Sequence, residues 1–193
     1  MNPDFQIELA SESDVPRMLE LSNWAAKHTP ANFATKPESL EQWLQVWRQT
    51  SRFHPWLVAR FPAMNGVRQD QTILGFAKSS PHRAREAYNW SAEVSVYIDP
   101  DFHGKGIGSK LYGALLPLLR DQGYVTLLGG ITDGHAPSER LHSKVGFVRC
   151  GTFHRIGWKF DRWYDVGYWE LHLQPADHAP GPIKPISEIL RAP

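Results

Sequence analysis

What this sequence lacks narrows it first. Its 193 residues hold one cysteine, Cys150, which excludes an internal disulfide framework and any zinc site built on cysteine pairs. No apolar run is long enough to cross a bilayer, and the N-terminus lacks the basic-then-apolar pattern of an export signal. A soluble cytoplasmic protein with no membrane partner is expected. Charge of one sign is scarce as well: 21 basic residues against 20 acidic ones leave +1 at neutral pH. Without a basic stripe, nucleic acid has little to hold. The nine histidines include no helix-borne H-x-x-x-H. His135, His142 and Asp133 make too weak a set for a metal, and none is expected.

What is present is apolar and aromatic. Hydrophobic residues make up 41% of the chain, enough for a buried core, and eight tryptophans suit a core, a ligand pocket or an interface. "QIEL" (6–9) reads as a strand and 11–28 as a helix capped by Ser11 with Pro16 near its start. Ser39 with Gln42 three residues on forms a capping box, ahead of an apolar face of Leu40, Trp43, Leu44 and Trp47 that reads as core. "WLVARF" (56–61) and "TILGFAK" (72–78) are strand-like, joined by a polar loop containing Asn65-Gly66. "SSPHRAREAYN" reads as irregular. In "WSAEVSVYI" (90–98), Ala92, Val94, Val96 and Ile98 point one way and Glu93, Ser95 and Tyr97 the other. A helix with a kink at Pro117 ends near Gly123. A strand over 124–131 follows, then a short helix opened by Pro137 and closed by Gly146, then strands at "FVRCGTF" and "YDVGYWELHL". Cys150 falls in a strand and reads as packing. This order predicts a mixed α/β single domain over 1–174, followed by a proline-rich, irregular tail over 175–193.

"HGKGIGS" (103–109) interrupts that pattern between strand and helix. Glycine is costly at a helix start unless close backbone approach is needed. Uncapped N–H groups of Gly104, Lys105, Gly106, Ile107, Gly108 and Ser109, with the positive helix end, form a concavity suited to phosphate. Lys105 adds charge nearby. The order Gly-Lys-Ser/Thr of a P-loop is absent, and the G-x-G-x-x-G spacing after a first strand is not met. The pyrophosphate of coenzyme A gripped by backbone amides remains, beside the plainer option of a tight strand-to-helix turn.

The segment resembles the R/Q-x-x-G-x-G/A signature of the GNAT acyltransferase superfamily. Within it the chain is most similar to phosphinothricin and methionine sulfoximine N-acetyltransferases. "NFATKP" (32–37), "PWLVA" (55–59), "RAREAYNWSAEVSVYI" (83–98), "PSERLHSKVGF" (137–147) and "KFDRWYDVGYWEL" (159–171) carry that likeness over roughly residues 6–173. Two positions depart from the family. His103 stands where Arg or Gln is usual, and His135 where an Asn contacts the cofactor.

The resemblance implies a GNAT fold, a twisted, mostly antiparallel central sheet flanked by helices, with acetyl-CoA as cosubstrate and no metal. It implies a strand that splays from its neighbour after Glu93, leaving backbone amides of Val94, Ser95 and Val96 for the thioester and pantetheine. His103, the glycine segment and His135 would hold the rest of the cofactor. Glu93 would be the base beside the acceptor amine, its burial raising its proton affinity, although the strand pattern alone also fits a solvated carboxylate. His142 would be the acid for the departing thiolate, acting with Glu93 through water. The implied acceptor is a small amino acid or toxic analogue. Arg83 and Arg85 suit its anionic groups, and Phe33, Tyr88 and Trp90 would wall the pocket; "HRARE" alone also fits a solvated loop. Trp158, Trp163 and Trp169 suit a homodimer interface as well as the core. Other functions compatible with the residues are acetylation of another small amine or a peptide N-terminus, and non-catalytic acyl-CoA binding.

Overall fold

The structure is a computed structural model that describes residues 4–62 and 73–190; the Asn65-Gly66 loop lies outside the described residues. Strand β1 (Gln6–Leu9) leads through a 3-10 turn at Glu12–Asp14 into α1 (Val15–His28), with Pro16 in its first turn. Ser39 caps α2 (Leu40–Thr50): its hydroxyl accepts from the Gln42 N–H, and the Gln42 side chain reaches back to the Ser39 N–H, the reciprocal box expected. Then come β2 (Trp56–Arg60), β3 (Ile73–Pro81), β4 (Ser91–Ile98), α3 (Ile107–Gln122), β5 (Thr126–Thr132), α4 (Ala136–Lys144), β6 (Val148–Lys159), β7 (Arg162–His172) and the short α5 (Ile186–Ile189).

The seven strands form one sheet in the order β1-β2-β3-β4-β5-β7-β6. Every neighbouring pair is antiparallel except β4 and β5. Alternation along β4 puts its small apolar residues on one face. There Ala92 and Val94 pack with Ile107, Leu111, Tyr112, Leu115 and Leu119 of α3 and with Phe147. The opposite face carries Val58 and Phe76 against Met18 and Leu19 of α1 and Trp43 of α2. Phe76 is fully buried; truncating such a side chain to Ala costs about 3–5 kcal/mol in transfer and cavity terms.

Two features differ from the sequence reading. β3 runs on through Ser79, Ser80 and Pro81, where an irregular stretch is expected. Its pairing with β2 ends at Lys78, so Pro81 removes no bond on that side. β6 continues to Lys159 through a register shift between Phe153 and Gly157. Helix α3 contains Pro117 at an exposed turn, where water can take the place of the lost bond. The tail lies strapped over the body: the Trp90 indole N–H donates to Gly181 O at 2.7 Å, Gln122 Nε2 to Lys184 O at 2.9 Å, and the Ile186 N–H to Arg52 O at 2.9 Å.

Candidate active site

The glycine segment is built from its anchors inward. Asp99, at the end of β4, accepts from the Asp101 N–H at 3.0 Å and from Arg17 of α1 at 2.5 Å, fixing the turn that launches the segment. His103 Nε2–H donates to Ile98 O at 3.0 Å, so this nitrogen closes the turn rather than facing a ligand. Gly104 and Gly106 then adopt φ +75° and +79°, a left-handed conformation that glycine alone enters without strain. A Cβ at either would meet nothing within 4 Å: the space above them is open.

Gly106 starts α3, and no side chain caps that end. The first backbone bond of the helix is Lys110 N–H to Gly106 O, leaving the N–H groups of Ile107, Gly108 and Ser109 as free donors at the positive end of the helix. Ile107 contributes its backbone only, since its side chain is buried in the core. Gly108 serves packing instead: a Cβ there would stand 2.9 Å from Leu141 Cδ2 of α4. The Lys105 ammonium lies 4.8 Å from the Phe102 ring centroid.

Beside this helix end the sheet opens. β4 pairs with β5 only at Ser91↔Thr126, Ala92↔Leu127 and Glu93↔Leu128, although both strands continue. From Val94 to Ile98 the edge of β4 that faces β5 has no ladder partner. The splay expected after Glu93 is present, and the amides of Val94 and Val96 lie along it, whereas the Ser95 amide is turned to β3. At the far lip, His135 caps α4. Its Nδ1 is buried with no hydrogen-bond partner, and burial holds its pKa low, with Glu139 opposing and His103 reinforcing that shift. The site thus offers an orphan polar atom, three uncapped amides and an unpaired strand edge, a set that suits a ligand with anionic and amide groups.

Glu93 and His142 flank the start of the gap from opposite faces. Glu93 shares its face with Ser95 and Tyr97. Its side chain is 43% exposed, so the burial expected to strengthen it as a base is not there. Its Oε1 accepts from His82 Nδ1 at 2.8 Å instead. His142 is buried beneath Gly129, the first β5 residue past the paired stretch; a Cβ on Gly129 would stand 2.9 Å from its Nε2. Its Nδ1–H donates to Ser138 O at 2.9 Å, which leaves Nε2 to accept from the Tyr112 hydroxyl at 3.2 Å. Burial holds the His142 pKa low against the opposing Ser138 carbonyl and pushes that of Tyr112 up. His142 is thus a neutral ring. Among the described residues no hydrogen bond joins it to Glu93.

The acceptor-side residues are partly brought together. The Arg83 guanidinium lies 5.6 Å from the Tyr88 ring centroid, and His82 meets the same ring edge-on at 5.6 Å. Arg83, Tyr88, His82 and Glu93 therefore form one cluster. Arg85 is exposed at the start of the 3-10 turn over Glu86–Tyr88. Trp90 is a correction: its indole is bound by the tail at Gly181, not presented to the Glu93 cluster. Phe33 packs on the β6–β7 hairpin, where a Cβ on Gly157 would come within 2.4 Å of its ring. Its loop is held there by Lys159, whose buried ammonium donates to the carbonyls of Ala26, Thr29 and Asn32.

Three residues of this site escape sequence reasoning. His82 reaches Glu93 only because β3 is longer than its pattern suggests. Tyr112 reads as an ordinary core position. Lys78, opposite Ser95 on the Glu93 face, lies over the rings of Trp56 and Trp43 at 4.3 and 4.9 Å; burial lowers its pKa, with Glu38 opposing. Nothing in its local sequence marks it.

Comparison with known proteins finds relatives over most of the chain. The sequence model of the acetyltransferase (GNAT) family covers residues 18–147. The phosphinothricin N-acetyltransferase of Streptomyces viridochromogenes is 31% identical over 185 residues, 95% of this chain and 96% of that protein. The L-methionine sulfoximine/L-methionine sulfone acetyltransferase of Pseudomonas aeruginosa is 34% identical over 173 residues, 89% and 96% of the two chains. A crystal structure of a GNAT superfamily phosphinothricin acetyltransferase from Sinorhizobium meliloti, in complex with acetyl-CoA, superposes with a TM-score of 0.82 at 26% identity, covering 94% of each chain.

Proposed function

Because the chain belongs to the acetyltransferase (GNAT) family, we propose that it transfers the acetyl group of acetyl-CoA to the amine of a small amino-acid-like acceptor. The acceptor class is that of its relatives, phosphinothricin or methionine sulfoximine and sulfone. The observation that carries this reading is the end of the β4–β5 ladder at Glu93, beside the uncapped start of α3.

Acetyl-CoA supplies an activated thioester, and the residues fit it. The amides of Ile107, Gly108 and Ser109, with the open space at Gly104 and Gly106, receive the diphosphate. The exposed edge of β4 from Val94 through Val96 provides amides for the pantetheine and the thioester oxygen as it gains charge. His135 Nδ1 offers a further polar contact.

An ammonium acceptor loses two protons on becoming an amide. Glu93 takes the first, freeing the lone pair that forms the C–N bond; the second ends on the sulfur when the C–S bond breaks. His142, on the far side of the gap, relays that second proton: its neutral Nε2 takes it up as the tetrahedral species forms and yields it to the departing thiolate, with Tyr112 holding the ring. No side-chain nucleophile is needed. Arg83, backed by Tyr88, holds the acceptor's anionic group.

The same reading places the protein in the cytoplasm, where its single exposed thiol, Cys150, persists reduced. It also pairs two copies through the β6–β7 ribbon. What supports the homodimer is a row of exposed apolar side chains there: Trp158, Trp163, Ile156, Phe153 and, at the hairpin tip, Phe160. Phe160 and Asp161 both hold positive φ, a turn that glycine or asparagine would form with less strain.

Thiol release from acetyl-CoA is the direct test, against phosphinothricin, methionine sulfoximine, methionine sulfone and unmodified amino acids. Release with at least one of the first three, reduced about a hundredfold or more in Glu93→Gln, is expected. Undiminished turnover in Glu93→Gln at every pH removes Glu93 from the base role.

A further inference from the structure

We infer that His82 is a positioning residue for Glu93, so that the base at the acceptor end is a carboxylate held in place by an imidazole. This rests on Glu93 acting as that base and goes one step further, to what holds it.

The geometry comes from strand register. β3 and β4 pair to their ends, Ser80↔Glu93 and Pro81↔Ala92. His82 is the first residue past that ladder, and its ring turns back onto the Glu93 carboxylate, with Nδ1 at 2.8 Å from Oε1. The two side chains differ in exposure: His82 is 14% exposed and Glu93 43%. The imidazole is the fixed partner, wedged edge-on against Tyr88, and the carboxylate is the one that needs fixing. A half-exposed glutamate on a strand edge otherwise samples several rotamers, and few of them keep an oxygen at the acceptor nitrogen.

The hydrogen bond also assigns the protons. An ionised carboxylate only accepts, so Nδ1 carries hydrogen in either charge state of the ring. Oε1 is occupied by that bond. Oε2 has no partner among the described residues, and it is the oxygen that takes the proton from the acceptor nitrogen and later releases it to water.

The imidazole thus acts through the carboxylate: it fixes which oxygen faces the acceptor and does not itself touch the reacting atoms.

The test compares kcat and both KM values for wild type, His82→Asn, His82→Phe and Glu93→Gln. Thermal melting and acetyl-CoA binding are recorded for each. In His82→Phe, which has no donor, kcat falls about ten- to a hundredfold with KM for acetyl-CoA unchanged. In His82→Asn the amide nitrogen stands in for Nδ1 and kcat recovers most of that loss. Wild-type kcat in both His82 variants, or an equal loss in both, with Glu93→Gln impaired, overturns the role of His82 and leaves Glu93 as base. Full activity in Glu93→Gln overturns the base assignment and the pair with it. If His82→Phe does not fold, His82→Ala takes its place as the variant without a donor.

Discussion

His54 should make the fold sensitive to mild acid. It sits before β2, its ring in contact with the Tyr124 hydroxyl at 3.3 Å and the Ser79 hydroxyl at 3.4 Å. No carboxylate faces it among its recorded partners. Burial pushes its pKa from 6.5 down to about 4. Above pH 6.5 the ring is neutral in both folded and unfolded chains and stability is complete. Between 6.5 and about 4 the unfolded chain binds a proton that the folded chain refuses, so stability is lost as pH falls through that window. At about 1.4 kcal/mol per pH unit, the full loss is about 3 kcal/mol, a sizeable share of an ordinary domain's stability. Other buried groups titrate as well, so the measurement is a difference. Urea unfolding of wild type and His54→Gln would be followed from pH 7.5 to 4. The substitution removes the titration, so the wild type's advantage at pH 7.5 should shrink by about 3 kcal/mol by pH 4. A difference that stays constant across the range would refute the reasoning.

Three further outcomes follow from the geometry. Gly106→Ala forces a Cβ onto a residue at φ +79°; a cost of about 1–2 kcal/mol is expected, with KM for acetyl-CoA raised and KM for the acceptor unchanged. Gly157→Ala drives a methyl to 2.4 Å from the Phe33 ring; displacement of that ring should raise KM for the acceptor while acetyl-CoA binding, read by calorimetry, stays as it is. Trp163→Asp puts a charge in the exposed apolar row of the β6–β7 ribbon. Sedimentation is expected to give a dimer for the wild type and a monomer for the variant, and a monomeric wild type would defeat the interface.

How legible was this in the sequence? The local devices were plain. Ser39 and Gln42 announce the start of α2, Gly106 and Gly123 bracket α3, and both glycines take positive φ as their places suggest. Alternation from Ala92 to Ile98 separated the core face of β4 from the face that bears Glu93. Long-range register was the hidden part. The His82–Glu93 contact spans eleven positions and depends on β3 continuing through "SSP", a run whose composition signals a turn. The tip of the β6–β7 hairpin is Phe160-Asp161, not the Asn-Gly that marks such turns, so the full strand lengths could not be read. His142 is singled out by resemblance alone, and its neutral, doubly bonded state depends on Tyr112 one helix away.

The three residue pairs that join β4 to β5 have a mechanical consequence. The sheet is two leaves, β1 to β4 and β5 to β6, stitched along a short seam and parted like a wedge beyond it. Any molecule that fills the wedge becomes mortar between the leaves, replacing the rungs the backbone leaves out. Occupancy at a hundred times the dissociation constant adds about 2.7 kcal/mol to the folded state. On the proposed placement the cosubstrate would also be a structural member, and a cell's supply of it would set how firmly the two leaves are held.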